Sequence, residues 1–202
     1  MDKLEKYKKA WDNQPEDVNK ISKKEIYKLS HSKSSSIVKW ILFIGILEFI
    51  VFNSLYMFVD MKEAYIEYER LGLKGFVFWT SILAYGILFY FLYLFYVNYK
   101  AISISDSTKV LMTKILKTRK TVRNYVLFNL TYLGLTMFAF TVASIQVDFN
   151  DLTNKQLVLT IIFMLVATSI TLGLFYLFYQ LLYGILLKKL NKNYKELSKI
   201  DD

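Results

Sequence analysis

The sequence predicts an all-α polytopic membrane protein with four transmembrane helices, both termini in the cytoplasm, and short cytoplasmic helices. Two observations predict it: where the apolar residues lie and where the positive charges lie. Of 202 residues, 54% are hydrophobic. They concentrate in four stretches, at about 40–59, 75–96, 125–145 and 157–187. Each is long enough for the roughly 20 apolar residues that a bilayer crossing needs. None shows the polar face of a soluble helix, or the short apolar–polar alternation of a transmembrane barrel strand. Helices remain, because a helix satisfies its backbone polar groups internally.

The charges set the orientation. Of the 26 Lys and Arg, 22 lie in three places: the segment up to Lys39, the connection 100–123, and the tail from Lys188. The connections at 60–74 and 146–156 hold the other four. This alternation is the positive-inside pattern, with the N-terminus, the middle connection and the C-terminus cytoplasmic. The net charge of +9 thus reads as orientation and as contact with anionic lipid, not as a nucleic-acid footprint.

Two units follow: a cytoplasmic helical segment over 1–36 and a transmembrane domain over 37–202. The first 35 residues hold 9 Lys and 6 acids, without the apolar core of a signal peptide. "LEKYKKAWDN" spaces Leu4, Tyr7 and Trp11 as a narrow helical stripe, which Pro15 interrupts. "SKKEIYKLSHSKSSS" opens with Ser22 and Glu25 in capping-box spacing. It lies along the membrane surface or runs into the first span. After cap-like Ser105, Asp106 and Ser107, Leu111, Ile115 and Val122 share one face beside Val110 and Leu116. Lys109, Lys114, Lys117, Arg119, Lys120 and Arg123 surround that face. This segment is expected to be a cytoplasmic extension of the third span and a contact for anionic lipid. The fourth span is too long for the bilayer and should emerge as a helix through the tail 188–202.

A duplication is hinted at. "LFYFLY" (88–93) recurs as "LFYLFY" (174–179), and "NYKAIS" (98–103) as "NYKELS" (193–198). The spacings between the two motifs differ, 10 residues against 19.

Glu48 is the one acid within a span. Such a group costs on the order of 3 kcal/mol to insert, so it should face the bundle and carry its proton. Its depth suggests partners. Glu48 lies 9 residues inward from Lys39, Tyr132 lies 9 from Arg123, Tyr179 lies 9 from Lys188, and Tyr90 lies 10 from Lys100. At 1.5 Å per residue all four sit roughly 13–15 Å from the basic flank. Glu48, Tyr90, Asn129, Tyr132 and Tyr179 therefore form the candidate intramembrane polar cluster, with Asn53 farther out. As interhelical glue, such contacts are worth about 1 kcal/mol per hydrogen bond. As a functional site, Glu48 would carry a proton or a cation.

Other chemistry is scarce. There is no Cys and one His, His31, expected on the surface at a helix end. Sites needing several imidazoles or thiolates are excluded. Ser34, Ser35, Ser36 and Lys39 lie at a Ser-rich helix start, not in a Ser–Lys catalytic pair. No catalytic, cofactor or metal site is expected, and no nucleic-acid partner.

Three stretches carry a resemblance that covers most of the chain: "KLSHSKSSSIVKWILFIGILEF", "KILKTRKTVRNYVLFNL" and "LLYGILLKKLNKNYKEL". The chain resembles four-span inner-membrane proteins of flavobacteria and related Bacteroidetes. The resemblance implies a multi-pass protein of the bacterial inner membrane and brings no established activity. Some such proteins carry a carotene-oxygenase-like name, whose four-His iron centre a lone His31 cannot supply. Others look like partners of alternative sigma factors, although this chain has no Cys for a zinc-containing anti-sigma fold. The leading expectation is a regulatory or scaffolding protein that docks a cytosolic protein through residues 1–35. The alternatives are a small proton- or cation-coupled transporter or channel using Glu48, assembled as a homo-oligomer, and a structural subunit of a membrane complex.

Overall fold

The computed structural model describes residues 22–58, 60–105, 107–149 and 152–201. The stripe of Leu4, Tyr7 and Trp11 lies outside them. Every regular element among the described residues is helical.

Helix α1, Lys23–Leu55, starts at Ser22. The Glu25 amide donates to the Ser22 hydroxyl at 3.2 Å, and the Ser22 amide donates to the Glu25 carboxylate at 2.9 Å. This reciprocal cap fixes the start, and the helix then runs unbroken into the first apolar span. Short helix α2, Met61–Arg70, occupies a connection that hydropathy reads as a loop. Asp60 caps it by accepting from the Lys62 amide at 2.9 Å. Gly72, at φ +67°, closes it. There the Leu73 amide donates to the Tyr68 carbonyl and the Gly72 amide to the Glu69 carbonyl, a Schellman ending that favours glycine.

Helix α3 spans Lys74–Ser103. Helix α4, Thr108–Asp148, has 41 residues and is therefore about 60 Å long, well beyond a hydrocarbon core of about 30 Å. Helix α5, Asn154–Tyr179, begins with a Thr153–Gln156 capping box. It continues through a π turn, Gln180–Gly184, into α6, Ile185–Asp201. Among the described residues four helices, counting α5 to α6 as one, are long and apolar enough to cross a membrane.

The helices alternate in direction. The start of α1, the α3–α4 connection and the end of α6 share what we call the basic end; α2 and the α4–α5 connection mark the far end. At the basic end α1, α3, α4 and α6 pack as a closed ring. The buried positions follow a three-four rhythm: Ser34, Val38, Ile41, Gly45 and Glu48 on α1, and Phe91, Phe95, Asn98 and Ile102 on α3. On α4 they are Leu111, Ile115, Thr118, Val122 and Tyr125. That spacing is the seam of a left-handed four-helix bundle. Its polar members are paired. Asn98 donates to the Thr121 hydroxyl at 3.1 Å and Asn193 to the Ser34 hydroxyl at 3.0 Å. The two "NYK" motifs thus place their asparagines in equivalent roles, each bridging to a hydroxyl of the next helix.

His31 departs from expectation. It lies inside α1, half-buried beside the Tyr27 ring. Its Nε2 is buried without a hydrogen-bond partner among the described residues. The continuous helix carries His31 onto the bundle instead of leaving it at a helix end.

Toward the far end the ring opens. Helix α5 rests mainly on α4 and touches α1 through Phe52 against Phe175 and Phe178. Outside the seam, burial at this end is confined, among the described residues, to Leu71 and Ala143.

Candidate functional site

Glu48 ends the buried stripe of α1 at the level where the ring opens. It is 7% exposed. Tyr179 donates its hydroxyl to Oε1 at 2.8 Å, and Tyr183 donates to Oε2 at 2.9 Å. Tyr125 of α4 stands edge-on to both tyrosine rings, with centroids at 6.1 and 5.8 Å. Below the cluster, Phe91 and Phe95 pack edge-on against Tyr125, closing the path toward the basic end with aromatic carbon.

Two local features bring these groups together. Gly45 lies one turn below Glu48, and a Cβ there would meet Leu92 at 3.1 Å and Phe95 at 3.2 Å. Its absence lets α3 approach α1. The π turn begins immediately after Tyr179 and contains Tyr183, with the two rings stacked at 6.2 Å. Single π turns within α-helices recur at functional sites.

Above Glu48 is a partly open cavity of about 330 Å³ between α1, α3, α4 and α5. Seventeen residues line it. Among them Glu48 is the one charged side chain, and eight are aromatic, including Phe49, Phe52, Tyr85, Phe128, Tyr132 and Phe175. The amides here are anchored to their own helices: Asn53 donates to the Phe49 carbonyl and Asn129 to the Tyr125 carbonyl, each at 2.8 Å. Tyr85 donates to the Asn53 carbonyl oxygen at 2.8 Å, linking α3 to α1 across the wall.

A second cavity of about 540 Å³ lies against α4, the π turn and α6 on the basic side. Arg119, Lys120 and Arg123 line it together with Tyr179 and Tyr183. The two tyrosines that hold Glu48 therefore stand between an acidic, aromatic cavity and a basic groove. Of the remaining α4 cations, Lys109 and Lys117 are exposed and Lys114 is half-buried.

The sequence-derived cluster is partly assembled. Tyr179 reaches Glu48 directly. Asn129 and Tyr132 line the cavity with it. Tyr90 does not join: it is 57% exposed, because the seam of α3 runs through Phe91 and Phe95, and Tyr90 sits one position round the helix. Tyr125 and Tyr183 were not singled out by depth. They fall on the seam, three residues beyond Val122 and four beyond Tyr179, so seam spacing was the signal that could find them. No group of three metal-ligating side chains occurs among the described residues.

Residues 24–202 match the family described as a domain of unknown function, DUF8845, and the chain belongs to that family. No curated protein and no solved structure matches it.

Proposed function

We propose that this chain is a small cation-coupled carrier or channel of the bacterial inner membrane, with both termini cytoplasmic, in which Glu48 exchanges its proton for a cation. The observation that carries this reading is the place of Glu48. It is the one charged group of a cavity within the spans, and it sits where that cavity meets the sealed bundle.

Energetics favour a working role over glue. Inserting the acid costs on the order of 3 kcal/mol, while each tyrosine hydrogen bond returns about 1 kcal/mol. A group serving only as glue also needs no cavity beside it. In hydrocarbon the carboxyl group is stable when a proton or a bound cation neutralises it, and the aromatic wall supplies no competing positive charge. Tyr179 and Tyr183 would hold the group in place while its neutralising partner changes.

The regulatory or scaffolding reading has a different support, the length of bundle beyond the apolar spans. Its proposed docking segment, residues 1–35, is divided: residues 1–21 lie outside the described residues, and Ser30 and Ser34 are buried in the bundle. The exposed basic face of α4 suits anionic headgroups in the cytoplasmic leaflet.

The test is flux in reconstituted vesicles carrying a pH gradient and an internal pH dye. Wild-type protein should dissipate the gradient when an external cation is supplied, and Glu48→Gln should reduce that rate at least tenfold. Equal rates for the two proteins, or a wild-type rate equal to that of empty vesicles, would overturn the carrier reading.

A further inference from the structure

The form of the cavity above Glu48 constrains what could occupy it. On α1 its lining runs from Glu48 to Tyr56, eight residues or about 12 Å along the axis. Tyr56 lies just past the end of α1, so the cavity reaches from the sealed level to the far end of the bundle. A proton needs no such volume. A bare metal ion needs about six oxygen ligands converging at 2–2.6 Å, whereas this wall is mostly apolar, with eight of its seventeen residues aromatic and its amide nitrogens tied to their own helices. An anion would face the carboxyl group with no positive side chain to receive it. A neutral apolar molecule would leave that group unmatched.

A cation with an apolar body satisfies every part of the wall. Its charge meets Glu48, which has acceptor capacity beyond the two tyrosine hydrogen bonds. Its body lies against aromatic faces that attract cations through their quadrupoles, by an amount that grows on desolvation. A cavity of about 330 Å³ is at the size of small-molecule sites, which combine an apolar lining with few placed polar groups.

We propose that this cavity binds an organic monocation, an amine or quaternary ammonium with an apolar body, paired with Glu48. The inference rests on the reading of Glu48 as a cation-exchanging group. The exchange balances in atoms and charge: Glu48 gives up one proton to water, the carboxylate pairs with one incoming monocation, and no covalent bond to the ligand forms. The cation enters from the far end, because the Phe91, Phe95 and Tyr125 rings close the other side.

The probe is benzyltrimethylammonium, whose charge is permanent and independent of pH. Its binding to the full chain in nanodiscs is measured by equilibrium dialysis, and proton release by calorimetry in buffers of different ionisation enthalpy. Wild-type protein should bind one equivalent saturably and release about one proton. Glu48→Gln should weaken binding at least tenfold. Ala84→Trp, which fills the α3 wall while leaving Glu48 intact, should do the same with an unchanged unfolding temperature. The uncharged isostere neopentylbenzene should not compete. Binding unaffected by both substitutions, or equal competition by neopentylbenzene, would overturn the inference. Glu48-dependent proton flux without benzyltrimethylammonium binding would overturn it and leave the carrier reading standing. Glu48-dependent binding without flux would do the reverse.

Discussion

The two ends of this bundle are built from the same four helices and are packed by different rules. At the basic end, Val38, Ile102, Leu111, Ile115 and Val122 lie beyond the apolar spans and Ile41 and Phe95 at their edge; all are fully buried, and the ring of helices is closed. At the far end α5 leans on α4, large apolar side chains point outward, and a cavity separates the helices. The contrast follows from solvent. Where helices project beyond the hydrocarbon, the hydrophobic effect drives apolar stripes together. Within lipid that drive is absent, and association depends on packing and hydrogen bonds. Stability should therefore reside at the basic end, leaving the far end free to host a ligand.

The sharpest way to break this comparison uses one residue type at both ends. Phe95→Ala removes a fully buried ring from the closed seam and should cost about 3–5 kcal/mol. Phe163→Ala, on an outward face of α5 at 69% exposure, should change stability by no more than about 0.5 kcal/mol. Thermal unfolding in one lipid environment compares them, and similar losses would refute the division. Glycines give a second pair. Gly45→Val would press on Leu92 and Phe95 and should cost about 1–3 kcal/mol. Gly86→Ala meets nothing within 4 Å and should be neutral or stabilise by up to about 1 kcal/mol through helix propensity.

At the boundary, Tyr183→Phe removes one of two hydrogen bonds to Glu48 and should cost about 1 kcal/mol. A much larger loss, in the same unfolding assay, would mean that the cluster belongs to the structural end. The smallest effect is expected at the far surface. Arg70 bonds Glu67 at 2.7 Å and Asp148 at 2.8 Å, clipping α2 to the end of α4. Hydrogen bonding to Arg70 holds the Glu67 carboxyl below the ordinary carboxylate range. A group shifted in that direction contributes stability above its unfolded value and loses it as pH falls through its folded value. Because these groups are solvent-exposed, the contribution is screened. Arg70→Ala should leave global unfolding unchanged and speed amide exchange only in Met61–Arg70. The difference between variant and parent should shrink in acid.

The sequence made one coordinate legible and hid another. Depth along the membrane normal could be counted in residues from the basic flanks, and it led to Tyr179. Rotation about each helix axis could not, because a lipid-facing side is as apolar as a buried one. Tyr90 failed on that missing angle. Outside the apolar stretches the angle becomes readable: Leu111, Ile115 and Val122 form a stripe against lysines, and all three are fully buried. Val110 and Leu116, flanking that stripe, are exposed. Helix termini were legible where side chains cap them, as at Ser22 and Ser107. The short helix α2 was not, because its ten residues lack a buried face and depend on Asp60 and Gly72 at their ends.

The π turn at Gln180–Gly184 has a consequence for how this chain tolerates change. It is a phase slip in a long rod: the α5 and α6 surfaces keep separate angular registers and are coupled at this one place. A π turn fits five residues into about the angle that four take in an α-helix, so deleting a single residue here would restore a regular α-helix and leave the α5 and α6 surfaces near their present registers. Insertions or deletions elsewhere in the rod would instead misalign an end against its own neighbours. The slip is therefore a place in the rod where the chain can lose one residue and keep both ends aimed as they are.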